Sequence, residues 1–249
     1  MIEEQAVPAL QGWASNVLQV QLSEEAARRL VQHLQEVLLR NREMNLTGIR
    51  DFKEALIKMP LDALAALPLL ENSTPGERLV DIGSGAGYPG LALCLAGAPF
   101  HFALLEAMRK RASFLQALVQ KFGLAECVEV VSGRAEELGK RVLWREAAEV
   151  VTVRAVAPLI AIVEYGLPLC RIGGCLIAWK GPAWREEYEA AAVHLNLLGG
   201  RLERVVAYEL PERRGHHVLL LIRKERATPS RYPRAQAAIR QMTQSTKAS

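Results

Sequence analysis

The residues best placed to do chemistry lie in one run, Arg78-Leu79-Val80-Asp81-Ile82-Gly83-Ser84-Gly85-Ala86-Gly87, where an apolar strand breaks into a glycine ladder with an acid just before it. A loop almost without side chains lets a ligand reach the backbone, and at the end of a strand it suits a nucleoside-type cofactor. Gly85-Ala86-Gly87-Tyr88-Pro89-Gly90 also satisfies GxGxxG, so the glycines alone leave a dinucleotide open. Asp81 favours S-adenosylmethionine over a dinucleotide: its carboxylate would repel a pyrophosphate and attract a sulfonium or an ammonium group. The helix starts near these glycines carry no Lys, Arg or Ser cluster arranged for phosphate.

Other candidates follow at the ends of later apolar segments. Glu106 lies 23 residues beyond Gly83 and can accept from both ribose hydroxyls, a role common to both cofactor classes. Ser132-Gly133-Arg134-Ala135-Glu136-Glu137 follows a third strand, where the Ala135 amide and Glu136 can read the polar edge of an adenine; Glu136 can equally serve as a helix-start acid. Arg154 ends a fourth segment and either anchors a structural carboxylate or faces the pocket. Lys180, before Gly181-Pro182, is a second cation at the same edge, and the two make an anion-friendly rim. Trp179, Trp184 and Tyr88 could stack on a base, although aromatics at strand ends more often pack in a core. Tyr88 is expected over the methionine end of the cofactor.

These residues need a sheet to hold them. From Arg78 onward, short apolar strands alternate with amphipathic helices: strands are expected at Leu79–Ile82, Phe102–Leu105, Val128–Val131, Val150–Val153 and Cys175–Trp179, with helices near 89–97, 108–122, 134–138, 159–170 and 184–197. Leu202–Leu210 and Val218–Arg223 leave no room for a helix between them and must form an antiparallel hairpin. The expectation is an α/β fold: a doubly wound, mostly parallel seven-stranded sheet laid out like class I methyltransferases. A small helical N-terminal lobe (1–72) precedes the methyltransferase domain (73–224), and a basic tail (225–249) follows it. In the lobe, Ser23 to Asn41 repeats apolar residues at helical spacing, and a helix over 51–70 should break at Pro60 and Pro68.

Of 249 residues half are apolar, and the net charge is +4. From Arg223 to the end there are seven basic residues and one acid, so the rest is slightly negative; such an arm suits a phosphate-rich partner. The acidic N-terminus does not look like an export signal, and no apolar run reaches the ~20 residues of a membrane span. Cys94, Cys127, Cys170 and Cys175 lack metal-ligand spacing, Cys170 and Cys175 flanking an expected turn; they read as free thiols in a reducing cytoplasm. No metal site is expected.

Asn45-Leu46-Thr47-Gly48-Ile49-Arg50, the stretch Asp81 to Gly90, and Leu104-Leu105-Glu106 with Lys110-Arg111 and Phe114-Leu115 resemble, in order and spacing, the bacterial 16S ribosomal RNA guanine-N7 methyltransferases, the glucose-inhibited division protein B family. The resemblance runs from about residue 35 to 234. It implies methyl transfer from S-adenosyl-L-methionine to N7 of one guanine in 16S rRNA, free or within the small ribosomal subunit, with Gly83, Tyr88, Glu106, Ala135, Glu136 and Arg154 at the cofactor. A monomer is expected. The chain departs from the family at Met59-Pro60-Leu61-Asp62-Ala63, at Gly215-His216-His217, and after Arg234, where Ala235-Gln236-Ala237-Ala238-Ile239 replaces the usual Gly-x-Pro-x-Lys-x-Pro ending. Because guanine N7 carries an in-plane lone pair, no general base is expected, and alignment supplies the catalysis, with Arg154 shaping the cofactor pocket and Lys180 positioning the RNA. The alternatives are a small-molecule methyltransferase, a nicotinamide-dependent oxidoreductase and a non-catalytic RNA-binding adaptor.

Overall fold

The computed structural model describes residues 3–212 and 217–247. Among these residues seven strands form one sheet: β1 (Glu77–Ile82), β2 (Phe100–Glu106), β3 (Val128–Ser132), β4 (Ala148–Arg154), β5 (Cys170–Lys180), β6 (Gly200–Tyr208) and β7 (His217–Lys224). Their order is β3-β2-β1-β4-β5-β7-β6, with the first five parallel and β7 antiparallel to both β5 and β6. The chain winds outward from β1 in one direction and from β4 in the other. The carboxyl ends of these two neighbours are therefore the switch point where such sheets take ligands.

Successive strand residues face opposite sides, and in β1, β2 and β4 both sides are buried. Leu79, Phe102 and Leu104 point into one apolar cluster, whereas Val80, Ala103, Leu105 and Val151 point into a second. The first cluster is completed by α1 (Glu3–Leu18), α2 (Glu24–Met44), α3 (Phe52–Leu56), α4 (Asp62–Leu64), α5 (Leu67–Leu70), α6 (Gly90–Leu95) and α7 (Arg109–Lys121). On the opposite face lie α8 (Ala135–Leu138), α9 (Leu159–Gly166), α10 (Trp184–Leu197) and α11 (Gln236–Lys247). The boundary expected near residue 72 thus separates no two cores: Leu10, Leu34 and Leu64 pack in the same cluster as Leu79 and Phe102.

The longest N-terminal helix shows why its sequence folds so. Ser23 caps α2 by accepting from the Ala26 amide, Glu24 and Glu25 sit at the positive end of the helix dipole, and Ala27, Leu30, Val31, Leu34 and Val37 form one buried stripe. Asn45 ends it in the left-handed conformation, one turn later than the apolar spacing suggests. Pro60 does not break the 51–70 segment. Ile57–Leu61 widens into a π turn whose longer hydrogen bonds accommodate the missing proline N–H. Cys170 and Cys175 likewise do not flank a turn; both lie on β5, whose pairing with β4 shifts register between Ala148 and Val150. The Pro211–Gly215 connection and His216 fall partly or wholly outside the described residues.

Candidate cofactor site

A cleft of about 300 Å³ opens at the carboxyl ends of β1 and β2, with Gly83, Glu106, Gly133, Ala135, Glu136, Val156 and Tyr165 among its walls. Glu106 is buried and fixed by two backbone donors: Oε2 accepts from the Gly85 amide at 3.0 Å and Oε1 from the Met108 amide at 2.8 Å. Each carboxylate oxygen has two lone pairs, so both can accept once more. Glu136, in the first turn of α8, is also buried, and its Oε1 has no hydrogen-bond partner among the described residues. A buried acceptor left unmade costs about 1–3 kcal/mol and calls for a ligand donor. Adjacent strand ends thus offer one carboxylate for a pair of hydroxyls and a second for an amino group, as an adenosine requires. The donor set fits S-adenosylmethionine.

The glycine ladder divides between two tasks. Gly83 borders the cleft, and the Gly85 amide orients Glu106. Gly87, at φ +94°, turns the other way: a Cβ there would stand 2.9 Å from Nε2 of His33. Nothing in the sequence reading singled out His33. It is fully buried on α2, its Nε2 lies 2.7 Å from the Ala86 carbonyl, and its ring stacks on Tyr88 with centroids 4.5 Å apart. Burial lowers its pKa to about 4, so at neutral pH the uncharged ring donates Nε2–H to Ala86.

Four candidates change role. Asp81 does not face the cleft: it is fully buried beneath the loop, where Oδ1 accepts from the Thr152 hydroxyl at 2.8 Å and Oδ2 from the Gly90 amide at 3.1 Å. Burial pushes its carboxyl upward against these bonds. It clamps the loop to β4 and the start of α6. Tyr88 packs in the core against His33 and does not border the cleft. Arg154 realises the first of its two readings, an anchor: it donates to Oδ2 of Asp62 at 2.7 Å and to the Lys58 carbonyl at 3.0 Å, its guanidinium 5.6 Å from the Tyr88 ring centroid. Lys180 pairs with Glu187 at 2.5 Å and donates to the Ala157 carbonyl; its side chain is only 8% exposed, which takes it off any RNA-facing rim.

Asp62, also missed, organises that side. Besides Arg154 it accepts from the Tyr208 hydroxyl at 2.5 Å, and its carbonyl accepts from the Trp179 indole at 3.0 Å. The available signal was a single acid inside the apolar stretch 55–70. Trp179 is thus a core residue, and Trp184 lies under the Arg185 guanidinium at 4.5 Å.

The C-terminal stretch is not a free basic arm. Arg223 pairs with Glu203, buried Lys224 with Glu146 and Arg234 with Glu164, while Arg226 donates to Asn196. Glu164 illustrates the balance. Burial alone would raise its pKa, but bonds from His194 and Arg234 outweigh it and hold it at about 2.

The sheet order, the antiparallel β7 and the nucleoside cleft at the switch point define a class I, S-adenosylmethionine-dependent methyltransferase. Solved structures share the fold: a putative transferase from Pyrococcus horikoshii aligns with TM-score 0.52 and 14% identity, covering 65% of this chain and 63% of its own. TYW2 from P. horikoshii, solved in complex with MeSAdo, aligns with TM-score 0.50 and 14% identity over 63% and 60% of the two chains. Residues 26–215 match the family model for GidB, rRNA small subunit methyltransferase G. Ribosomal RNA small subunit methyltransferase G of Symbiobacterium thermophilum is 45% identical over 81% of this chain and 83% of its own length, and that of Roseiflexus castenholzii is 41% identical over 87% and 91%. The chain belongs to this family. No described helix is long and apolar enough to cross a membrane.

Proposed function

We propose that this chain transfers the methyl group of S-adenosylmethionine to N7 of one guanine in small-subunit rRNA, acting as a cytoplasmic monomer. The observation that carries the reading is the pairing of Glu106 with the unpartnered Oε1 of Glu136 across one cleft, in a chain of this family. Bound there, the cofactor supplies a methyl group activated by its sulfonium sulfur. The protein supplies position: Glu106 holds the ribose, Glu136 and the Ala135 amide read the adenine, and the backbone at Gly83 and Val156 borders the side toward β4. Guanine N7 presents its lone pair without losing a proton, so holding it in line with the methyl group and sulfur is the main requirement. A base within an A-form helix hides N7 in a deep, narrow groove, which favours a loop guanine.

The test is label transfer from radiolabelled cofactor to 16S rRNA, free and in assembled subunits, with the product located by mass mapping and by cleavage specific for N7-methylguanine. One labelled guanine that is cleaved at N7 is expected. Methylation of a different atom, or label entering a metabolite extract instead of RNA, overturns the reading. Calorimetry should show binding of S-adenosylhomocysteine and none of NADH.

A further inference from the structure

The chain after β7 is fastened down before it reaches the cleft. Arg145 donates to the carbonyls of Gly139, Thr228, Pro229 and Tyr232, at 2.6 to 3.3 Å. The Thr228 amide donates to Glu146 at 2.7 Å, and the Lys224 ammonium, fully buried, donates to the Leu167 carbonyl and to the Thr228 hydroxyl. Arg234 grips Glu164 through its backbone amide at 2.8 Å and its guanidinium at 2.6 Å. This strap delivers α11 to a fixed place against α9, where Ile239 is fully buried and Met242 packs beside it.

The neighbouring stripe of the same helix has no core to fill. Gln236, Arg240 and Thr243, spaced i, i+4, i+7, share one face and line the cofactor cleft. From this juxtaposition we infer that α11 is the outer wall of the adenosine subsite, with Gln236, Arg240 and Thr243 as cofactor-binding residues facing Glu106 and Glu136. The inference rests on the cleft being the S-adenosylmethionine site. Its chemistry is complementary. The sheet side offers carboxylate acceptors for the amino group and the ribose hydroxyls; the α11 side offers an amide and a guanidinium as donors for the ring nitrogens and ribose oxygens, and the Thr243 hydroxyl, which donates to the Arg240 carbonyl at 2.7 Å, keeps its oxygen as an acceptor. No carboxylate among the described residues pairs with the Arg240 guanidinium, in contrast to Arg223, Lys224 and Arg234 on the strap. The family model ends at residue 215, so this wall belongs to a part of the chain outside the matched region.

A basic arm gripping RNA and a wall closing on the cofactor differ in what their removal does. The deciding variant is Q236A/R240A/T243A, which leaves Ile239, Met242 and the Arg234–Glu164 pair intact; binding of S-adenosylhomocysteine is measured by calorimetry on the full chain. The dissociation constant should rise about tenfold or more, equivalent to about 1.4 kcal/mol, with an unchanged melting curve. Truncation after Arg234 should weaken binding at least as much and raise the dissociation rate in stopped flow. A triple variant that binds within twofold of the unaltered chain overturns the inference while leaving the cofactor assignment intact. Failure of the unaltered chain to bind S-adenosylhomocysteine overturns both.

Discussion

The two flanks of the glycine loop are built from the same kinds of residue and do opposite things. Toward the N-terminal helices, buried carboxylates meet protein partners: Asp81 holds Thr152 and Gly90, and Asp62 holds Arg154 and Tyr208, while His33 holds Ala86 through Nε2 and, like the Tyr88 hydroxyl, leaves a buried polar atom away from the cleft without a partner among the described residues. Toward α8 and α11, among the described residues, the buried carboxylate Glu136 keeps an oxygen without a partner and no acid pairs with Arg240. A carboxylate with both oxygens bonded is a brace; one with a free oxygen beside a cleft has room for a ligand donor. Residue type does not distinguish the two flanks, but their carboxylates do: both oxygens of Asp81 and of Asp62 are bonded, and one oxygen of Glu136 is not.

The largest effect that would test this contrast is expected at Glu106, which spans both roles. Glu106→Ala removes the acceptor for Gly85 and Met108 and, in the proposed complex, for the ribose. With charge-assisted bonds contributing about 1.5–3 kcal/mol each, S-adenosylhomocysteine affinity should fall about 100-fold or more, and methyl transfer with it. An affinity loss under about fivefold by calorimetry would remove Glu106 from the cofactor.

Asp62→Ala should break the braced flank alone. It leaves the Arg154 guanidinium, largely buried, with only the Lys58 carbonyl, and unmaking such a pair costs about 3 kcal/mol. The urea midpoint should fall accordingly while cofactor affinity in the folded protein stays within about twofold, since Asp62 does not border the cleft. A variant of normal stability and weakened cofactor binding would reverse the assignment.

Much of this architecture is legible in the sequence because it repeats. Alternating apolar strands and helical stripes mark all seven strands, and the lack of helix-length chain between β6 and β7 dictates their antiparallel pairing. The places of Glu106, Ala135 and Glu136 are legible because the first ends β2 and the other two open the helix just after β3, so topology fixes where they stand. Asp81, Tyr88, Arg154 and Lys180 also stand at strand ends, but their partners are Thr152, His33, Asp62 and Glu187, between 7 and 92 residues away. Local spacing carries no record of such pairings, so a side chain that could reach a ligand looks the same as one that reaches a distant acid. The tail misleads for the same reason. Its charges count as a basic arm until Glu146, Glu164 and Glu203 are found opposite them.

The smallest expected effect is also the sharpest, because stability and binding should move apart. Glu136→Ala deletes a buried oxygen that has no partner among the described residues, so no hydrogen bond to them is lost with it. Removing an unsatisfied buried acceptor relieves a desolvation penalty of about 1–3 kcal/mol, offset in part by the space left behind. The melting temperature without ligand should therefore hold or rise. With the adenine amino group as its intended partner, the same substitution should weaken S-adenosylhomocysteine about tenfold, and it should weaken an analogue lacking that amino group far less. Equal losses for the two ligands would show that Glu136 reads some other part of the cofactor, and a fall in stability without ligand would place it among the braces beside Asp81 and Asp62.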